Sequence, residues 1–276
     1  MEVRMLREEG ESDIQVRGLG LHVESTGRRG QGDIPLLFIH GWGGMGTIFR
    51  HQMAAFGTKR LCLAPDLPGH GRSAKPQLDY DIAFLADTLA AMLDAVAVSR
   101  VIAIGHSMGA LVALELARLV GSNRMPALAL IEPAPLLPPP AVQRGLEKTD
   151  HLLREEGYRR TMQRLLATAF LEPGEPADAV RRETESGIRA VSPFAAESCW
   201  KAMRRYDGRA VLAEFDRPLA VIVGARPQID VARWREVIPV PFHLGRTLGA
   251  GHFNLLTVPD QVNAMLATFF ERLEKA

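Results

Sequence analysis

The pentapeptide Gly105-His106-Ser107-Met108-Gly109 constrains the fold more than any other stretch, because of what flanks it. The apolar run Val101-Ile102-Ala103-Ile104 precedes it, and a helix-like stretch, Ala110 to Leu119, follows. A strand that turns sharply into a helix leaves a serine at the tip of the turn with its hydroxyl clear of the sheet. Glycines two positions before and two after let the strand and helix backbones approach closely. The next amide, that of Met108, stands at a helix N-terminus, where unpaired N–H groups favour a developing negative charge. The plainer alternative is a strand-to-helix turn with an N-capping serine.

The rest of the chain supplies a matching framework. Ile14 to Val16 and Leu21 to Val23 alternate apolar and polar residues around Gly18 and Gly20, as in a hairpin. Residues 1 to about 12 are charged and expected to be mobile, and a loop rich in Gly and Arg runs from Gly27 to Gly32. Apolar runs then recur at Ile34–Ile39, Leu61–Ala64, Val101–Ile104, Ala127–Ile131 and Leu219–Val223, with a weaker one near Val240 to Leu244. Such runs suit strands covered on both faces. Helical patterns lie between them, as at Asp81 to Val96 and Pro259 to Lys275. The alternation predicts an α/β fold, a mostly parallel, doubly wound sheet with helices on both faces.

From residue 136 to 217 the strand signals stop. A proline cluster, Pro138-Pro139-Pro140, opens a series of amphipathic helical stretches near 141–154, 157–171, 177–190, 194–206 and 209–215. The expected organisation is therefore a core of residues 1–135 and 218–276 and an inserted all-helical lid, 136–217. The lid would sit over the carboxyl ends of the strands, where open α/β sheets bind ligands. Phe170, Phe194, Trp200, Met203 and Phe215 are candidates for an apolar pocket or for the lid's own core. The lid's many arginines read as a solvated helix face.

Composition narrows the partners. Lys and Arg total 33 against 32 Asp and Glu, a formal charge of +1, which gives no argument for nucleic acid or an anionic membrane surface. No apolar run reaches the length of a membrane span. Cys62 and Cys199 form no spaced pattern and read as reduced thiols, neither a disulfide framework nor a metal site. Met1 to Glu9 has no apolar core of the kind a secretory signal needs. A cytoplasmic protein acting on a small molecule, without cofactor or metal, is expected, and a homo-oligomer is allowed.

A serine hydroxyl is a poor nucleophile near neutral pH unless a base lies within hydrogen-bond reach and a third group orients that base. His252, in Gly251-His252-Phe253 after the last strand and before the last helix, should emerge on the same sheet edge as Ser107. His40 and His106 flank motifs and read as structural.

Taken together, His40-Gly41-Trp42-Gly43, Asp66-Leu67-Pro68-Gly69-His70-Gly71-Arg72-Ser73, Gly105-His106-Ser107-Met108-Gly109 and Gly251-His252-Phe253 resemble the motifs of the α/β-hydrolase superfamily. The resemblance runs from about residue 14 to the end. It implies that Ser107 is the nucleophile and His252 the base, with an oxyanion hole from the N–H groups of Trp42 and Met108. The Asp66 to Ser73 turn would be structural. One departure stands out. Family members usually carry an Asp three residues after the glycine that ends the strand following the lid. Here that glycine is Gly224 and the position is Pro227.

Two carboxylates can replace the missing Asp. Asp230 lies further along the same loop, but it also directly precedes Val231 to Arg235, where it would cap a helix. Glu132 ends the strand after the serine helix, the place where some branches of the superfamily put the acid, and it is the preferred candidate. The resemblance implies a serine hydrolase that cleaves a carboxylic ester, thioester or lactone through an acyl-enzyme. A carbon–carbon bond hydrolase or an acyltransferase would use the same residues, and a ligand-binding protein without catalysis could share the fold. A serine at residue 107 argues against dehalogenase and epoxide-hydrolase chemistry, which uses an Asp nucleophile.

Overall fold

A computed structural model describes residues 7, 9–28 and 34–275. The expectations for residues 1–6 and for much of the Gly27 to Gly32 loop lie outside the described residues. The hairpin is β1 (Gly10–Val16) and β2 (Leu19–Thr26), so residues 10–12 are strand and not part of a mobile end. Six shorter strands follow, namely β3 (Leu36–Ile39), β4 (Cys62–Pro65), β5 (Ile102–His106), β6 (Leu128–Ile131), β7 (Leu219–Val223) and β8 (His243–Arg246). They form one sheet in the order β1-β2-β4-β3-β5-β6-β7-β8. β1 and β2 are antiparallel to their neighbours, and β3 to β8 are parallel. The expected fold class, a mostly parallel α/β sheet with an inserted helical segment, is what the chain forms.

The last strand lies further along than Val240 to Leu244 suggests. Val240 stands between Pro239 and Pro241, which cannot donate to a ladder, so pairing begins only at His243.

The two faces of the sheet separate residue by residue. Leu37, Ile39, Ala103, Leu128, Leu130, Val221 and Val223 join one buried cluster, and Leu36, Phe38, Ile102, Ile104, Ala129, Ile131 and Ile222 join the other. The first is covered by α2 (Ile82–Ala95) and α3 (Met108–Arg124), through residues such as Leu85, Leu89 and Leu111. The second is covered by α1 (Arg50–Phe56) and α10 (Pro259–Glu274), through Met53, Phe56, Leu266 and Phe270. The period of two in each strand therefore supplies two cores at once, which is why these strands read as unbroken apolar runs.

Four helices lie between β6 and β7, namely α4 (Pro140–Thr168), α5 (Ala177–Ala190), α6 (Pro193–Arg205) and α7 (Arg209–Ala213). Gly157, at φ 73°, breaks α4 into two helical halves, which matches the separate stretches read from the sequence. After β7 come α8 (Val231–Val237) and, beyond β8, the short α9 (Asn254–Thr257). Among the described residues, no helix is long and apolar enough to cross a membrane.

Gly109 shows how tightly the serine turn is built. A Cβ there would lie 2.0 Å from the carbonyl oxygen of Ile39, and one at Gly105 would lie 2.3 Å from that of Gly109. Both blocking atoms are backbone, so neither site can yield cheaply. Gly109→Ala is expected to destabilise the protein by about 3 kcal/mol or more, read as a fall in the urea midpoint at unchanged m.

Candidate active site

The site is built where adjacent parallel strands stop. The N–H of Ser107 still donates to Ile131 O at 3.1 Å, continuing the β5–β6 ladder, and the N–H of Glu132 donates to Ile222 O at 2.8 Å, continuing β6–β7. Each chain then leaves the sheet abruptly. Ser107 has φ 54° and ψ −121°, and Glu132 has φ 44°. Side chains with a Cβ avoid that region, so both turns are held by the surrounding structure at some cost in strain. The Ser107 carbonyl accepts from Ala110 and Ala134, which fixes the turn on both sides.

Ser107 and His252 line the same cavity, of about 560 Å³, together with Gly41, Trp42 and His106. Met108 is the first residue of α3, where intrahelical acceptors for the amide are lacking. His252 is buried. Its backbone N–H donates to Phe170 O at 2.8 Å, its carbonyl faces His106 Nε2 at 2.9 Å, and its imidazole stacks on the Phe170 ring at 4.6 Å. Burial pushes the His252 imidazole down to about 3, so it is neutral at physiological pH, as a general base must be.

The two candidate acids part company here. Glu132 Oε2 lies 3.5 Å from His252 Nδ1, while Oε1 accepts from the N–H of Gly224. Burial raises the Glu132 carboxyl to about 8, with the Gly224 amide working in the opposite direction. Asp230 instead accepts from the N–H of Arg233 at 3.1 Å and caps α8. Next to the proline that replaces the usual acid, Gln228 places its amide nitrogen 3.2 Å from His252 Nδ1. Nothing in the sequence marked Gln228 apart from its position one residue after Pro227.

The structural readings of the other motifs also become concrete. His40 Nε2 accepts from the N–H of Leu67 at 2.9 Å, with Gly41 O on its other ring nitrogen. Asp66 accepts from the N–H groups of Gly46 and Arg72, tying the Asp66 to Ser73 turn to the loop that carries Trp42. Trp42 itself reaches into the insertion. Its indole N–H donates to Ala196 O at 2.7 Å, and its ring packs on Trp200 and Tyr158.

Of the five apolar candidates in the insertion, Phe170, Trp200 and Met203 line the cavity. Phe194 is 44 % exposed, and Phe215 is buried in the core cluster on the α2/α3 face. Helical spacing could not distinguish the two roles. Several of the insertion's arginines pair with neighbouring carboxylates on exposed faces, as Arg164 does with Glu156 and Arg181 with Asp178. Among the described residues, Glu11, His22 and Glu24 form the one group with metal-ligand spacing, on the β1–β2 hairpin. Arg72 donates to both glutamates, so a guanidinium already serves them as counter-ion. Cys62 and Cys199 are buried free thiols.

A doubly wound sheet, a strained serine at a strand-to-helix turn and a histidine on the loop after the last strand define a hydrolase-type site. The model of the Alpha/beta hydrolase family matches residues 36–265, and the chain belongs to that family. It is 28 % identical over 262 residues to the dihydrolipoyllysine-residue acetyltransferase component of the acetoin cleaving system of Pseudomonas putida. That match covers 88 % of this chain but 65 % of the relative, so the chain spans somewhat under two thirds of the relative's length. It is also 28 % identical over 244 residues to the pimeloyl-[acyl-carrier protein] methyl ester esterase of Xanthomonas oryzae pv. oryzae, covering 85 % of this chain and 94 % of that one. Among solved structures, a thermophilic esterase from Thermogutta terrifontis superposes with a TM-score of 0.80 at 19 % identity, over 95 % of this chain and 98 % of the other. At that identity the likeness is one of fold.

The buried pair carries a pH signature. With its carboxyl raised from an ordinary 4.5 to about 8, folded Glu132 keeps a proton that the unfolded chain has released. Stability therefore falls as pH rises through that window. His252 acts at the acid end. The unfolded imidazole binds a proton near 6.5 and the folded one only near 3, so stability is lost as pH falls between those values. Urea unfolding of wild type and Glu132→Gln across pH 4.5 to 8 is expected to show the stability difference shifting against wild type as pH rises. A difference that stays constant contradicts the raised carboxyl.

Proposed function

We propose that the protein is a serine hydrolase of carboxylic esters, thioesters or lactones with a substantially apolar acyl part, acting on a small molecule without cofactor or metal. The observation that carries this reading is the convergence on one cavity of Ser107 and His252, with Glu132 Oε2 3.5 Å from the far ring nitrogen. The insertion, residues 136–217, is read as the lid that shapes substrate choice. Its contribution to the cavity is mainly apolar, with Leu146, Met162, Leu165 and Ile188 beside Trp200 and Met203. The esterase name of the Xanthomonas relative supports ester cleavage.

In this mechanism Ser107 Oγ attacks the carbonyl carbon while His252 Nε2 takes its proton. The oxyanion forms against the N–H groups of Trp42 and Met108, which are fixed by the backbone and need no reorganisation. Imidazolium at His252 is then opposite Glu132, whose carboxylate stabilises it and holds the ring with Nε2 toward the serine. His252 returns the proton to the leaving alkoxide or thiolate. Water, deprotonated by the same imidazole, releases the acid from the acyl-enzyme.

A graded series of 4-nitrophenyl esters tests this, with Ser107→Ala expected to lose at least about a thousandfold in kcat. Failure to turn over any ester, together with no labelling of Ser107 by a fluorophosphonate, rejects hydrolysis and leaves a ligand-binding role. A preference for an alcohol or thiol acceptor over water in product analysis would turn the reading to acyl transfer.

The acid is tested separately. Glu132→Gln is expected to cut kcat on the order of a hundredfold or more. Asp230→Asn is expected to keep kcat near wild type, because its carboxylate caps a helix. With the Glu132 carboxyl held at about 8, kcat/KM of the wild type should climb with pH until that group is ionised. The Gln variant should lack this limb. Loss of activity in Asp230→Asn alone would reverse the assignment.

A further inference from the structure

The insertion does more than cover the cavity. Between α4 and α5 the chain runs through residues 169–176, and this segment is fastened to the loop that carries His252 at several points. Phe170 O accepts the His252 N–H at 2.8 Å, and the Phe170 ring lies on the imidazole. Glu175 Oε2 accepts the N–H of Gly251 at 2.9 Å and also that of Glu172. Glu175 Oε1 accepts the hydroxyl of Thr257 at 2.8 Å. One carboxylate thus holds both ends of the stretch from Gly251 to Thr257, with His252 inside it. Gly251 is glycine for the same reason, since a Cβ there would lie 2.5 Å from Phe170 O and 3.1 Å from Glu175 Oε2.

The segment also reaches the loop on the other side of the imidazole. Arg226, after β7, pairs with the Glu172 carboxylate and donates to Leu171 O at 2.8 Å. Two residues on, Gln228 meets His252 Nδ1. The strap therefore bridges the two loops that flank the base, while α4 and α5 on either side of it line the cavity through residues such as Leu165 and Ile188.

We propose that residues 170–175 form a strap that seats His252 for catalysis, with Glu175 as its positioning residue, so that the substrate-binding insertion and the base are one mechanical unit. The proposal rests on the serine hydrolase reading for its kinetic consequences and on hydrogen bonding alone for its structural ones. Charge-assisted bonds from a carboxylate to backbone N–H are short and strong, and a base displaced by about 1 Å can cost on the order of a hundredfold in rate. Glu175 also carries charge toward the site. The groups that face the His252–Glu132 pair are Arg246 from β8, Glu172 and Glu175 from the strap, His106 from β5, and the neutral Gln228 amide. Glu172 and Glu175 both push the Glu132 carboxyl up, and Arg246 pushes it down.

Glu175→Gln keeps the shape and removes the charge and one acceptor. The expected result, with rates normalised to Ser107 sites titrated by a fluorophosphonate, is a fall in kcat of about tenfold to a hundredfold with KM nearly unchanged. The limb of the pH profile that follows Glu132 should move to lower pH, because a negative charge that raised that carboxyl is gone. Amide exchange should accelerate at least about tenfold at Gly251, whose N–H loses its carboxylate acceptor, and also at His252, whose acceptor Phe170 O sits on the strap that Glu175 fastens. Thr257→Val, which releases only the Oε1 end and keeps the Glu175 charge, should lower normalised kcat and speed exchange in the same directions with smaller size, with the pH limb left in place. It serves as the test if Glu175→Gln does not fold.

Unchanged normalised kcat and exchange in either folded variant overturns the proposal, as does an unmoved pH limb in Glu175→Gln. So does a loss of activity explained wholly by fewer titratable sites, the result of a merely structural role. If the wild type turns over no ester, the hydrolase reading fails. The amide exchange rates at Gly251 and His252 then still decide whether the strap holds this loop.

Discussion

The site depends on the parallel ladder of β5, β6 and β7 and on where each strand ends. Because the register pairs His106 with Ile131 and Ile131 with Ile222, Ser107 and Glu132 leave the sheet side by side, and Gly224 follows Val223 next to them. Backbone hydrogen bonds set these positions to a fraction of an ångström. The side chains inherit that precision only because Ser107 and Glu132 turn out of the sheet through positive φ. Two cores, one on each face, keep the sheet from relaxing the strain.

That geometry explains how a carboxylate at the end of β6 can reach the imidazole. A carboxylate at the end of β6 is adjacent to the β7 loop, so Gly224 can donate to one oxygen while the other faces His252. The place after β7 where an acid is expected holds Pro227, and the polar group that reaches the imidazole from that loop is the Gln228 amide. Burial then works on both partners in opposite senses, raising the carboxyl and lowering the imidazole, which favours a pair without net charge at rest. In the proposed mechanism, a proton arriving on the ring forms an ion pair only once the Glu132 carboxyl is ionised, and the attraction is then strong inside a low-dielectric site.

The insertion touches the site at two opposite ends. Trp42 is gripped by Ala196, Trp200 and Tyr158, and the His252 loop is gripped by Phe170 and Glu175. Both the Trp42 side and the His252 side of the cavity are therefore fastened to the same helical segment.

Much of this was legible in the residues themselves. The two-faced apolar runs determine a covered parallel sheet, since only burial on both sides makes such runs stable. The glycines around Ser107 determine a close strand-to-helix crossing, and the break in strand signals after Glu132 determines a helical insertion. The N-cap role of Asp230 follows from its place before Val231. Other features belong to tertiary structure alone. The reach of Gln228, the burial of Phe215 away from the cavity and the hold of Glu175 on Gly251 all join residues far apart in the chain. Periodicity records which side of its own element a residue faces. Distances between elements are set by sheet register and packing, and so which carboxylate lies beside His252, and what holds its loop, were decided only when the chain folded.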